Sequence, residues 1–360
     1  MASFIDSKPV RNFGVQWFSA VMGTGALAIS MFLASSRFTF FLIFAQIFLL
    51  LSIGMFLFFL ILWTIRIIYH FEKVKKEIHH PIIGNFFPTI PISVIVIGIA
   101  LNSIGPTLFN SSLILVNTLL FVIGSLGVFI FGWLILSIIF VHKKIDLEHA
   151  NHGWFIPPVS HLIIPVLGLS LIPQYASSIL ADIVFIISMV TFGVGFLLFL
   201  FVGSIIYHRY IYHELPISSL APTFMIGLAP TSIITILLVK LVGAVKNVSF
   251  GIPPNLILPM IKIISVMVWG FSAWWFILVV MLLLHYLKNR NHPFVFGWWA
   301  YTFPIAAFTI SNGAINHLLD YPLFENILQI FNILLLVVWV IVFFKTLKAV
   351  KKGKCFEEHK

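Results

Sequence analysis

Charge is what this sequence has least of. Only 9% of its 360 residues are Asp, Glu, Lys or Arg, against roughly 25% in soluble domains. With 61% hydrophobic residues and a mean hydropathy of +1.11, a water-soluble fold is excluded and the chain reads as a polytopic membrane protein. Cysteine is nearly absent too. Cys355 stands alone in a charged tail, so no internal disulfide can form, and its thiol is expected to be solvated and inert. A cleavable leader is not expected, because the hydrophobic stretch after Lys8 and Arg11 is too long for one. The formal charge of +10 does not point to nucleic acid, since nearly all of it sits in short loops and the tail.

Ten segments have the length and apolarity of membrane-crossing helices. They fall at 13–35, 39–66, 85–102, 112–141, 154–173, 181–207, 216–240, 260–287, 294–318 and 326–345. Even-numbered segments are long, rich in Phe, Leu and Ile, and almost free of interior proline. Odd-numbered ones are broken and more polar. The third holds Pro88 and Pro91, and the fifth Pro157, Pro158 and Pro165. The seventh holds Pro222 and Pro230, the ninth Pro304. The first has Gly23 and Gly25 in MGTG instead.

The alternation recurs about every 70 residues, the scale of a helical hairpin. Interrupted helices are tolerated where protein or a water-filled cavity surrounds them, whereas lipid-facing helices must keep every backbone hydrogen bond. The expected fold is therefore an all-α integral membrane protein of ten helices in five hairpins. Pro/Gly-kinked odd helices would form an inner ring lining a pore, and even helices an outer ring. Residues 1–12 and 346–360 would be a short N-terminus and a basic tail flanking a transmembrane domain at 13–345.

Basic residues set the orientation. Lys8, Arg11, Arg66, Lys73, Lys75, Lys76, Lys143, Lys144, Arg209, Lys288, Arg290, Lys345, Lys348, Lys351, Lys352 and Lys354 all fall at the termini or after even segments. The other side has only Arg37, Lys240, Lys246 and Lys262. Both termini are expected in the cytoplasm and the chain in the plasma membrane.

Between their ends the odd segments contain no Asp, Glu, Lys or Arg. Coupled pumps place such groups at membrane depth, so a channel-like or uniport mechanism is favoured. The clearest mid-segment titratable residue is His161. It would either meet an anion in the pore or sit neutral on a neighbouring backbone carbonyl. His317 reads as interfacial.

Phe303 precedes Pro304 in YTFPIAAF, where a ring could plug a narrow path; packing is the plainer role for any one of 39 phenylalanines. Gly23, Thr24 and Gly25 either expose amide N–H groups to an anion or let helices approach. Candidate pore-lining residues are Gly23, Thr24, Gly25, Pro88, Thr89, Ser160, His161, Pro222, Thr223, Pro304 and Thr309. Their hydroxyls would supply neutral donors or bond back to their own helices. Trp298 and Trp299 read as an interfacial belt.

The motifs NFGVQWFSAVMGTGALAI (Asn12–Ile29) and WWAYTFPIAAF (Trp298–Phe308) resemble the tellurite-resistance/dicarboxylate transporter family. That family includes malic acid permeases, sulfite efflux pumps, a bacterial tellurite-resistance membrane protein and plant slow anion channels. The resemblance extends over nearly the whole chain. It implies a homotrimer, a separate pore in each protomer formed by five inner helices, and an occluding phenylalanine on the ninth helix. Phe303 is the best match for that residue, with Phe308 in reserve. The tails here are short, unlike the regulatory tails of the slow anion channels.

The expected function is passage of small anions, C4-dicarboxylates such as malate, or sulfite, with no cofactor and no enzymatic activity. The alternative is a membrane redox protein binding haem through some of the 13 histidines. Most of these lie in loops (His70, His79, His80, His142, His149, His152, His208, His213, His285 and His292), away from the facing helices that a haem requires.

Overall fold

The computed structural model describes residues 7–141, 145–289 and 292–356. His142, Lys143, Lys144 and Arg290 lie outside the described residues. The described residues form ten long α-helices: α1 Phe18–Ala34, α2 Phe41–Tyr69, α3 Thr89–Phe109, α4 Ile114–Val141, α5 Ile156–Leu171, α6 Ser178–Tyr212, α7 Leu228–Ala244, α8 Pro254–Asn289, α9 Thr302–Leu319 and α10 Pro322–Lys351. Among the described residues there is no strand. The protein is an all-α, multi-pass membrane protein.

Nine helical spans among the described residues are long and apolar enough to cross a membrane. The stretch containing α9 is not one of them. Its C-terminal half carries Asn312, Asn316 and His317, which lower its apolarity. Such a sequence is stable at membrane depth only with protein around it, and α9 is buried along most of its length.

Each odd helix packs against the even helix that follows it, giving five hairpins. The odd helices also touch one another in the order α1, α3, α5, α7, α9 and back to α1, so the inner ring closes. Burial follows the same division. In the most apolar window of the four inner spans, 67–94% of residues are buried; in the five outer spans only 11–33% are. The exposed positions on the outer helices are large and apolar, among them Leu115, Phe140, Trp133 and Ile179, as lipid contact requires.

The interruptions in the inner helices follow one rule. A 3-10 segment precedes every odd helix: Val15–Trp17, Ile83–Phe86, His152–Phe155, Ser218–Gly227 and Phe296–Tyr301. Pro91, Pro158, Pro230 and Pro304 each occupy the third residue of the α-helix that follows. An N–H at that position has no intrahelical acceptor, so a proline there costs no helical hydrogen bond. The break at Pro304 is therefore a change of winding at the entrance to α9 rather than a bend in its middle. Pro106 and Pro165 do lie inside α3 and α5. At the opposite end, α3 and α9 stop on left-handed residues, Asn110 (φ 48°) and Asp320 (φ 52°), residue types that tolerate this conformation.

All five 3-10 entrances lie on the face that carries both termini. Arg66 at the end of α2 holds that face together. It is buried and donates to the backbone carbonyls of Arg11 and Phe13, and to both carboxylate oxygens of Glu77 at 2.6 and 2.8 Å. The chain end docks there as well. Asn12 Nδ2 donates to the Phe356 carbonyl at 2.8 Å, and the Phe356 ring stacks on Trp17. Cys355 is thus half-buried rather than solvated, and burial pushes its thiol up to about 11.

Candidate functional site

Two cavities lie inside the helix ring. The smaller, about 50 Å³, is at the end carrying the termini. Gln16, Ser19, Phe86, Thr89, Ile156, Ala229, Phe296 and Pro304 contribute to its wall. These residues belong to the 3-10 entrances and the first turns beyond them. The larger cavity, about 550 Å³, opens towards the other face. It is walled by one stripe from each inner helix, including Ala26 and Ile29, Val96 and Ile99, Ile163 and Val166, Ile233 and Ile236, and Ala307 and Ile310. Phe303 is the one residue common to both linings. Its side chain is 7% exposed.

Phe303 owes its position to the winding change. Thr302 closes the 3-10 segment by donating its hydroxyl to Trp299 O at 2.8 Å. Phe303 follows as the second residue of α9, with Pro304 after it. Ala307 and Ile310 recur at helical spacing along the same wall. Phe308 is placed differently. Its ring stacks on Trp269 and Phe276 and meets Phe331 edge-on. It lines neither cavity and packs α9 against α8 and α10.

The other candidates divide in the same way. Thr89 and Pro304 line the smaller cavity, and the Thr89 hydroxyl is held by the carbonyls of Val15 and Phe86. Pro88 caps the start of α3. Gly23, Thr24 and Gly25 are packing residues. A Cβ on Gly23 would overlap Thr302 Oγ1, and one on Gly25 would stand 2.9 Å from Val96 Cγ1. The Thr24 hydroxyl bonds to Ala20 O and accepts from Trp339 Nε1 at 3.0 Å, so it faces α10. Ser160, Thr223 and Thr309 donate to carbonyls on their own stretches of chain. Pro222 lies buried within the 3-10 segment before α7. None of these four lines either cavity.

His161 also points away from the axis. Its Nδ1 lies 2.9 Å from Pro157 O, one turn back on its own helix. Its ring packs edge-on against Phe129 and fills the space left by Gly132 on α4. The carbonyl belongs to the same helix, not to a neighbouring one. Trp299 is buried and donates to Thr346 on α10, so it is core rather than belt. Only Trp298 is partly exposed, with Lys345 Nζ 4.7 Å from its ring centroid.

The five inner helices thus close into a ring around two cavities, with Phe303 in the lining of both. A model of the voltage-dependent anion channel family matches residues 12–347. The chain belongs to this family. It is an anion transporter, in a family of transporters and channels rather than enzymes. An uncharacterized transporter of Methanocaldococcus jannaschii is 29% identical over 97% of both chains. A sulfite efflux pump of Arthroderma benhamiae is 23% identical over 93% of this chain and 90% of its own. A malic acid transport protein of Schizosaccharomyces pombe is 21% identical over 95% of this chain and 80% of its own.

Within this anion channel family member, the residues that sequence reasoning missed lie at the far mouth. Lys240, Lys246 and Lys262 are exceptions to the basic-residue rule in the sequence, and all three line the larger cavity together with His317. The signal was present in their being exceptions.

Proposed function

We propose that the protein conducts small anions along the axis of its five inner helices, with Phe303 closing the path between the two cavities. The position of Phe303, alone in both linings, carries this reading. An apolar ring at a constriction blocks hydrated ions by excluding water. The walls between Phe303 and the lysines are almost wholly apolar, with Ser103 the one hydroxyl residue. A wall of this kind binds an ion weakly, which suits conduction because the ion must also leave.

The termini and the smaller cavity are assigned to the cytoplasmic side of the plasma membrane, and the larger cavity to the opposite side, on the basic-residue rule. Taking α9 as a tenth crossing, the even count puts both termini on one side. The trimer implied by the family resemblance completes the reading, with a separate path in each protomer. The names of the relatives favour sulfite or malate as cargo.

The test is flux in proteoliposomes for chloride, nitrate, sulfite and malate, comparing wild type with Phe303→Ala. Faster flux in the variant is expected, and the ranking of the four anions names the substrate class. Flux in wild type that collapses in the variant would mean a carrier whose phenylalanine shapes the binding site. No flux in either correctly folded protein would overturn the proposal.

A further inference from the structure

The larger cavity has a chemistry that apolar walls do not explain. Its lining includes Lys240 from α7, Lys246 from the turn after α7, and Lys262 from α8. Among the described residues no carboxylate lines it. The nearest acids by topology are engaged or absent from the wall. Asp182 accepts from Ser249 N, Glu325 accepts from Asn316 and Gln329, and Asp320 ends α9 without joining the lining. Arg37 is the fourth basic residue on this face; it pairs with Asn326 and stands outside the cavity.

Ordinary membrane-edge lysines would not be arranged this way. Snorkelling and the C-terminal helix dipole account for a cation in the last turn of α7. The dipole does not account for Lys262, which stands in the third turn of α8. Nor do the two effects explain why three lysines from two helices and a turn reach one mouth. Lys240 continues the stripe of Ile233 and Ile236 that lines the cavity. From Ala229, the α7 residue that lines the smaller cavity beside Phe303, to Lys240 is about 16 Å at the helical rise. The charge therefore lies at the outer end of an apolar shaft.

We propose that Lys240, with Lys246 and Lys262, forms an anion-docking site at the mouth of the larger cavity. The site concentrates anions on that face and favours doubly charged over singly charged ones. It rests on the proposed transport function. Low-dielectric walls focus the field of the lysines into the cavity, which raises local anion concentration. Two charges on one anion gain from the same field roughly twice over.

The experiment uses the full-length protein in two arms. In detergent, an amine-acylating reagent is applied with and without sulfite, malate or nitrate, and acylation of Lys240, Lys246 and Lys262 is read by peptide mass. Protection of these three, greater with sulfite or malate than with nitrate, and none at Lys345 or Lys348, is expected. In sided proteoliposomes, Lys240→Gln is expected to raise KM about tenfold for anion added at the lysine face, with little change in kcat. It should also flatten the dependence on ionic strength, while Lys240→Arg restores both and Arg37→Gln changes neither.

Wild-type flux with no protection and an unchanged KM in Lys240→Gln overturns the docking site and leaves the transport reading intact. Selective protection without flux in wild type upholds the docking site and overturns transport. If Lys240→Gln does not fold, protection of the wild-type lysines decides alone.

Discussion

A Cβ on Gly23 would collide with the Thr302 hydroxyl. That contact closes the inner ring, because it lets α1 approach α9 one residue before Phe303. The space is also limited by Thr302 Cβ, which would stand 2.7 Å from the added atom. Gly23→Ala is therefore expected to destabilise the protein by about 1–3 kcal/mol through overpacking. Thermal unfolding in detergent measures it. The double variant Gly23→Ala/Thr302→Gly should recover part of the loss, since it removes both colliding atoms.

Phe303 lines both cavities, whereas Phe308 lines neither. Phe308 is buried among Trp269, Phe276 and Phe331. Phe308→Ala leaves a core cavity and should cost about 3–5 kcal/mol, read as a lowered unfolding midpoint. It should not raise anion flux, in contrast to Phe303→Ala. Equal flux increases in the two variants would remove Phe303 from its special role.

His161 is bonded to its own helix and packed against α4. His161→Gln should leave the pH profile of anion flux superimposable on wild type between pH 5 and 8, while lowering thermal stability. A profile that flattens in the variant would return the histidine to the conduction path.

The termini depend on Arg66. With Glu77 and two backbone carbonyls as its partners, the guanidinium makes four hydrogen bonds. Arg66→Met strands the Glu77 carboxylate and two carbonyls. Breaking a buried pair costs about 3–5 kcal/mol. The lower end applies here, because the Glu77 side chain is 25% exposed. Arg66→Met/Glu77→Leu should lose less than Arg66→Met in a thermal melt.

Cys355 reports on the docked chain end. Burial raises its thiol from 9.0 to about 11, so at pH 9 the native protein holds about 50-fold less thiolate than the unfolded chain. The sign follows: this group favours the folded state below its unfolded value and loses that contribution as pH rises towards 11. Alkylation by iodoacetamide at pH 9 should be slow in native protein. It should accelerate on denaturation or in Phe356→Ala, which removes the ring stacked on Trp17.

Much of the architecture was legible because lipid and protein impose different rules on a helix. The helices α2, α4, α6, α8 and α10, with Pro259 of α8 their one interior proline, face outward, and the interrupted ones form the ring. The place of the interruption was less legible. A proline in a hydrophobic run reads as a kink until the start of the helix is known, and Pro304 turns out to be its third residue. The site was legible only in part. Phe303 and Phe308 are neighbours in one motif, and only the helical phase of α9 turns one to the axis and the other to α8 and α10. Thr24 and His161 looked suited to a pore on chemistry alone, yet Trp339 and the space beside Gly132 hold them outward.

Composition and pattern by themselves determined the membrane environment, the hairpin repeat and the division into inner and outer helices. These follow from local hydrogen-bonding and solvation costs that each segment meets on its own. The tertiary structure decided which phenylalanine lines both cavities, which hydroxyls are used up in packing, and that Lys240, Lys246 and Lys262 line one cavity. Those depend on the rotation of each helix about its axis and on closure of the ring between α1 and α9. Both are set by contacts between residues far apart in the chain, such as Gly23 with Thr302.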